Sequence, residues 1–243
     1  QCATLYRTVA YLACGNPGAT SADQAQDNTW QMFAPVSGNE GDDVCAWNEE
    51  QRDYSRALHY WKVVPSPQKT TGELLADANG NCDAWVHLFR DTLLVNGVAS
   101  YRVIVFPWNG IPEHADEYRL VVKEVDWDEQ DPEFPDEPIW KYGEGNIDKS
   151  PAGLPGQNVE TPAEKIFWWH WIDEWIYLVE VNGEQEERSE YYDPSYGVTY
   201  NGEADFTAKA IAGWGKLKDG DMHFAKISSP RPPEEKVQFE RQP

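Results

Sequence analysis

The sequence predicts an α+β protein: a helix bearing Cys82 packs on an antiparallel β-sheet and is preceded by a helical N-terminal segment. Three observations carry this expectation. Apolar residues at Trp85, Leu88, Phe89 and Leu93 follow the three-and-four spacing of a helix with one buried face. From Tyr101 onward the runs turn β-branched and aromatic, as in Tyr101-Arg102-Val103-Ile104-Val105-Phe106 and Trp175-Ile176-Tyr177-Leu178-Val179-Glu180-Val181. Between the second of these and the next strand stands Asn182-Gly183, the pair favoured in a two-residue hairpin turn. A helix-rich first third followed by a strand-rich remainder is the order of an α+β fold.

Taken along the chain, residues 2–14 read as a helix with Leu5, Val9 and Leu12 on one face, ended at Gly15-Asn16-Pro17-Gly18. Ser21 followed by Gln24 resembles a capping box for a second helix that turns Ala25, Trp30 and Phe33 inward. The stretch Arg56 to Val64 fits strand or helix, and Thr70-Thr71-Gly72-Glu73 opens a short helix. The polar turn Asn79-Gly80-Asn81 then runs into the Cys82 helix, which Gly97 closes as a C-terminal cap. Strands follow at Tyr101–Phe106, Tyr118–Val125, Trp175–Val181, the approach to Tyr191-Tyr192-Asp193, and Met222–Ile227. These elements divide the chain into a lead-in over residues 1–68, a core over 69–229 and a tail over 230–243.

Composition narrows the function. Twelve Trp, twelve Tyr and 40% hydrophobic residues belong to a folded chain, since disordered acidic chains lack aromatics. A formal charge of −22 argues against nucleic acid, which needs a basic surface, and against anionic membranes. No apolar run approaches the ~18 residues that cross a bilayer, so membrane insertion is not expected. No leader is visible in a sequence that opens at Gln1, and an exported location is preferred only mildly.

Four cysteines are present. No Cys-x-x-Cys pair points to zinc, and Asp126 to Asp136 reads as a solvated acidic loop rather than a calcium site, so no cofactor or metal is expected. If Cys82 is chemically active, the remaining three allow one disulfide, Cys14 or Cys2 with Cys45.

Cys82 is the best nucleophile candidate. At a helix N-terminus the unpaired N–H groups and the dipole favour thiolate, the form that attacks. A thiolate needs a base to take and return a proton, and the base needs an orienting acceptor. Of five histidines, His87 is rotated away from Cys82 on its own helix, and His59 and His223 have no recognisable context. His114 and His170 each precede a strong strand.

The run Gly80-Asn81-Cys82-Asp83-Ala84-Trp85 with Leu88-Phe89, then Trp169-His170 before a strand, then Tyr191-Tyr192-Asp193-Pro194-Ser195-Tyr196-Gly197, resembles the transglutaminase-like superfamily of the papain-related fold. The resemblance spans roughly Thr70 to Tyr200. It implies a papain/transglutaminase-like core with Cys82 as nucleophile, His170 as general base and acid, and Asp193 as the carboxylate that fixes the imidazole. It also implies a thiol enzyme acting on amide bonds of peptide or protein substrates: a cysteine peptidase first, a transglutaminase or deamidase by the same first half-reaction. The backbone N–H of Cys82 would be one oxyanion donor. The glutamine that papain-like enzymes carry six residues earlier is Ala76 here, leaving a tryptophan such as Trp61 as a second donor. In the family the histidine opens its strand, whereas here Trp171 to Glu174 precede the apolar strand core. A rival reading takes His114 with Asp131; the residues around Asp193 are the closer match. The alternative function is a catalytically inactive module that binds protein or carbohydrate.

Overall fold

The protein is described from a computed structural model. It describes residues 6–15, 18–34, 44–60, 69–107, 118–122, 139–141, 166–167, 169–218, 221–226 and 237–242. Among these the architecture is mixed α+β, with five helices, three antiparallel sheets and one two-stranded parallel pair.

The lead-in carries helices α1 (Arg7–Cys14) and α2 (Ala22–Gln31). Ser21 caps α2 by accepting from Gln24 N at 3.2 Å, while Gln24 Oε1 reaches back to Thr20 N at 2.8 Å, one residue before the cap. The lead-in is not wholly helical. Strands β1 (Cys45–Asn48) and β2 (Asp53–Ala57) form a hairpin, and β3 (His59–Tyr60) follows, so the described part of the ambiguous stretch from Arg56 is extended; its remainder, 61–64, lies outside the described residues.

Helix α3 (Thr71–Asp77) opens with a full capping box between Thr70 and Glu73, which satisfies helix-end donors reciprocally. Strand β4 (Asn79–Gly80) pairs in parallel with β3, and helix α4 (Cys82–Val95) follows at once. Helix α4 stops because Gly97 takes φ +73°: Gly97 N donates to Leu94 O and Val98 N to Leu93 O, a Schellman closure that releases the chain toward the sheet.

The main sheet contains β5 (Tyr101–Pro107), β9 (His170–Val181), β10 (Glu184–Asp193), β11 (Val198–Tyr200) and β14 (Val237–Gln242), in the order β11-β10-β9-β5-β14. The β9–β10 hairpin turns at Asn182 and Gly183, both at positive φ, as a type I′ turn requires. A second sheet, in the order β7-β13-β12-β6-β8, joins β6 (Tyr118–Val122), β7 (Ile139–Lys141), β8 (Ile166–Phe167), β12 (Ile211–Lys218) and β13 (Asp221–Lys226). Helix α5 (Glu203–Ala210) leads into β12.

Period-two alternation gives the main sheet two apolar faces. On one, Trp175 and Tyr192 join a core with Val9, Leu12, Phe33, Leu58, Tyr60, Trp85, Leu88, Phe89 and Leu93. On the other, Val103, Val105, Ile172, Tyr191 and Val237 pack with Phe206 and Ile211. Each fully buried side chain of this size stabilises the fold by about 1.5–3 kcal/mol. The first core draws on residues from 9 to 60 together with α4, so the lead-in shares the interior of the residues expected as the core.

Two expectations are corrected. Residues 230–243 were expected as a tail, yet Val237–Gln242 is the outer strand of the main sheet, with Val237 and Phe239 packed in the second core. Cys14 is a free, exposed thiol, so a Cys14–Cys45 disulfide is not present; a pairing through Cys2 lies outside the described residues.

Candidate active site

Three constraints fix the turn before Cys82. β4 is tied to β3, and His59 N donates to Ala78 O at 3.0 Å. Gly80 is pressed so closely that a Cβ there would sit 2.9 Å from both the Ala84 Cβ and a Leu74 methyl. Asn81 caps α4, its Oδ1 accepting from Ala84 N at 3.2 Å. Cys82 is therefore the first helical residue, buried at 4% exposure, with the positive end of the α4 dipole at its thiol.

His170 opens β9 directly, so Trp171 to Glu174 are part of its strand and do not intervene before it. Opposite it on β5 is Val105. Asp193 is the last residue of β10 and uses its two oxygens differently. Oδ1 accepts from Ser195 N at 3.1 Å and Tyr196 N at 3.3 Å, building the turn ahead of Gly197. Oδ2 meets His170 Nε2 at 2.7 Å. With Nε2 engaged, Nδ1 is the nitrogen left to face a nucleophile, and Cys82 acts on the imidazole electrostatically. The structure thus brings Cys82, His170 and Asp193 together from α4, β9 and the end of β10.

Electrostatics at the imidazole oppose one another. Burial pushes its pKa down, but the Asp193 charge and hydrogen bond, followed by those of Cys82, carry it well above the ordinary 6.5. His170 is 1% exposed and Asp193 0%, so the attraction acts with little solvent screening. Tyr196 lies against the imidazole with ring centroids 5.2 Å apart, and Tyr60 from the lead-in meets Tyr196 edge-on at 5.2 Å.

The other histidines are placed differently. His87 accepts from Arg102 at 2.8 Å through Nε2 and lies 3.5 Å from Asp83; burial and then the Arg102 charge depress its pKa. His59 stands on β3 and His223 on β13. His114, Asp131 and Trp61 lie outside the described residues. No cluster of three or more metal-ligating side chains occurs among the described residues.

Sequence reasoning passed over Tyr196 as an imidazole neighbour and Asp173 and Glu174 as buried charges. The signal for the carboxylates was there: two adjacent acids, one on each face, inside the apolar run of β9. Compared with known proteins, the chain matches no protein-family model, no curated protein and no solved structure.

Proposed function

We propose that the chain is a thiol-dependent acyl-transfer enzyme acting on amide bonds of peptides or proteins, with hydrolysis as the leading outcome and transamidation or deamidation as variants of the second half-reaction. The observation that carries this reading is one buried imidazole bonded to Asp193 and electrostatically coupled to the thiol of Cys82, which stands at a helix N-terminus. The motif resemblance to transglutaminase-like proteins supports the same roles.

In this mechanism the proton of Cys82 resides on His170, giving a thiolate and an imidazolium that stabilise each other. The sulfur adds to the amide carbonyl, and the Cys82 backbone N–H supports the developing oxyanion. His170 returns the proton to the amine as the C–N bond breaks, leaving a thioester on Cys82. His170 then takes a proton from water, which attacks the thioester and releases the acid, leaving the thiolate beside the imidazolium as at the start. An amine acceptor in place of water gives a new amide. Asp193 keeps Nδ1 directed at the sulfur and favours the charged ring.

The test is amide cleavage and amine incorporation on a peptide library, with Cys82→Ala as control. Activity confined to the wild type is expected; full activity in Cys82→Ala would overturn the reading. Burial of the thiol favours a second reading, a non-catalytic interaction module. Iodoacetamide labelling at graded pH decides between them. A thiol pKa well below ~8.5 supports the enzyme and an unreactive thiol the module.

A further inference from the structure

Asp173 and Glu174 are both 0% exposed on β9, the strand that His170 opens. Glu174 is matched by a two-pronged contact from Arg241 of β14. Asp173 shares its sheet face with Trp175 and Tyr192, the face that α4 covers. Ser100 Oγ donates to its Oδ1 at 2.8 Å. Arg90 Nε stands 3.8 Å from the same oxygen, while Arg90 also donates to Ser100 O at 3.1 Å. Oδ2 has no hydrogen-bond partner among the described residues.

This is a poor way to stabilise a protein. A buried carboxylate with one neutral donor and a cation beyond hydrogen-bond reach stabilises less than an amide or an apolar side chain would. Its location gives it another use. Arg90 lies about two turns beyond Cys82 on α4, and Asp173 one step beyond Ile172 on the His170 strand. The contact therefore joins the two elements that carry the thiol and the imidazole.

We propose that Asp173 is a positioning residue for the Cys82–His170 pair: its carboxylate, held by Ser100, draws Arg90 and with it the Cys82 helix onto the His170 strand. The inference rests on the acyl-transfer reading of the site. Burial raises the Asp173 carboxyl to about 7; the Ser100 hydrogen bond and Arg90 charge act against this, and the Glu174 charge adds to it. The charged and titratable groups around Asp173 are Arg90 on α4 with Asp91 beside it, Arg102 opposite on β5, Glu174 on β9 and Tyr192 opposite on β10. Ionisation strengthens the attraction for Arg90, so alignment of thiol and imidazole improves as pH rises through neutrality. The same ionisation places a charge in the interior that Ser100 and Arg90 compensate only in part.

The experiment follows iodoacetamide alkylation of the full chain against pH, read at the Cys82 peptide by mass spectrometry, beside thermal melting. The wild type shows a low inflection from the thiol–imidazole pair and a second near neutrality. Asp173→Asn retains an acceptor for Ser100, loses the second inflection and reacts about tenfold more slowly above it. It melts no lower than wild type above neutrality. Ser100→Ala removes a bond that favours the charged carboxyl, so it moves the second inflection to higher pH, and Arg90→Lys retains more of the rate than Arg90→Gln. A second inflection that persists in Asp173→Asn, or wild-type alkylation there with a lower melting point, overturns the inference and leaves the acyl-transfer reading standing. A wild-type thiol that titrates like a free cysteine overturns both.

Discussion

His170 and Asp193 are diagonal neighbours on β9 and β10 rather than direct partners. The last ladder pair is Tyr192 with Asp173, and one more step in that register sets Asp193 opposite Ile172, two residues along from His170. Side chains at this offset share a sheet face and lie within reach of one another when they are long. Asp193 lies past the last β9 pair but still pairs with Val198 of β11, and from there one oxygen builds the turn while the other meets Nε2.

Removing either member separates their roles. On the acyl-transfer reading, His170→Ala is expected to slow turnover about 10^4-fold and to make Cys82 less reactive, because the group that takes its proton is gone. Asp193→Asn is expected to be milder, about 10^2-fold, since the ring stays but loses the charge that favours its cation. Single-turnover kinetics with alkylation at graded pH measures both. A dead His114→Ala beside a near-wild-type His170→Ala would transfer the base to His114.

The raised imidazole also shapes stability. A histidine whose folded pKa lies above its unfolded 6.5 binds a proton in the native chain that the unfolded chain releases. The contribution is complete below 6.5 and lost as pH rises through the folded value. Urea unfolding of wild type and His170→Gln at several pH values should show the wild-type advantage largest on the acid side and shrinking with alkali.

Gly80→Ala tests the turn that places the thiol. The new Cβ would meet Ala84 and Leu74 at 2.9 Å, and both neighbours belong to packed helices. Overpacking here costs about 1–3 kcal/mol and tilts the start of α4, so activity falls with stability. Asn81→Ala loses the cap alone and costs about 1 kcal/mol. Denaturant melts with Cys82 alkylation rates distinguish displacement from simple destabilisation.

Arg241→Met leaves Glu174 charged and unpaired in the interior. Removing one partner of a buried pair typically costs 3–5 kcal/mol, but the Arg241 side chain is 51% exposed, and solvent screening reduces the expected loss to about 2 kcal/mol. Glu174→Gln in the same background should recover most of it, as a double-mutant cycle will report.

Elements governed by neighbouring residues were legible in the sequence. Asn81 and Gly97 bound α4, Asn182-Gly183 sets the hairpin, and Thr70 with Glu73 opens α3. His170 and Asp193 stood out for the residues around them. What stayed hidden depends on distant partners. β12 carries little strand signal because Gly213 and Gly215 interrupt it, and its pairing with β6 is irregular between Ile211 and Gly213. β14 alternates over only a few residues, and its partner β5 lies far upstream. Asp173 meets Arg90 and Ser100 only after α4 is folded onto β9.

The pairing of β14 with β5 also sets an order of events. Residues 102–107 form one side of the sheet that holds His170, yet their outer neighbour, residues 237–242, is supplied only after the intervening chain. Such distant strand pairings form slowly. Until that strand arrives, β5 offers bare N–H and C=O groups beside Val103 and Val105, a template for another unfolded chain. Refolding should lose yield steeply with protein concentration, and pulse-labelled amide exchange should find β5 protected on its β9 side before its β14 side.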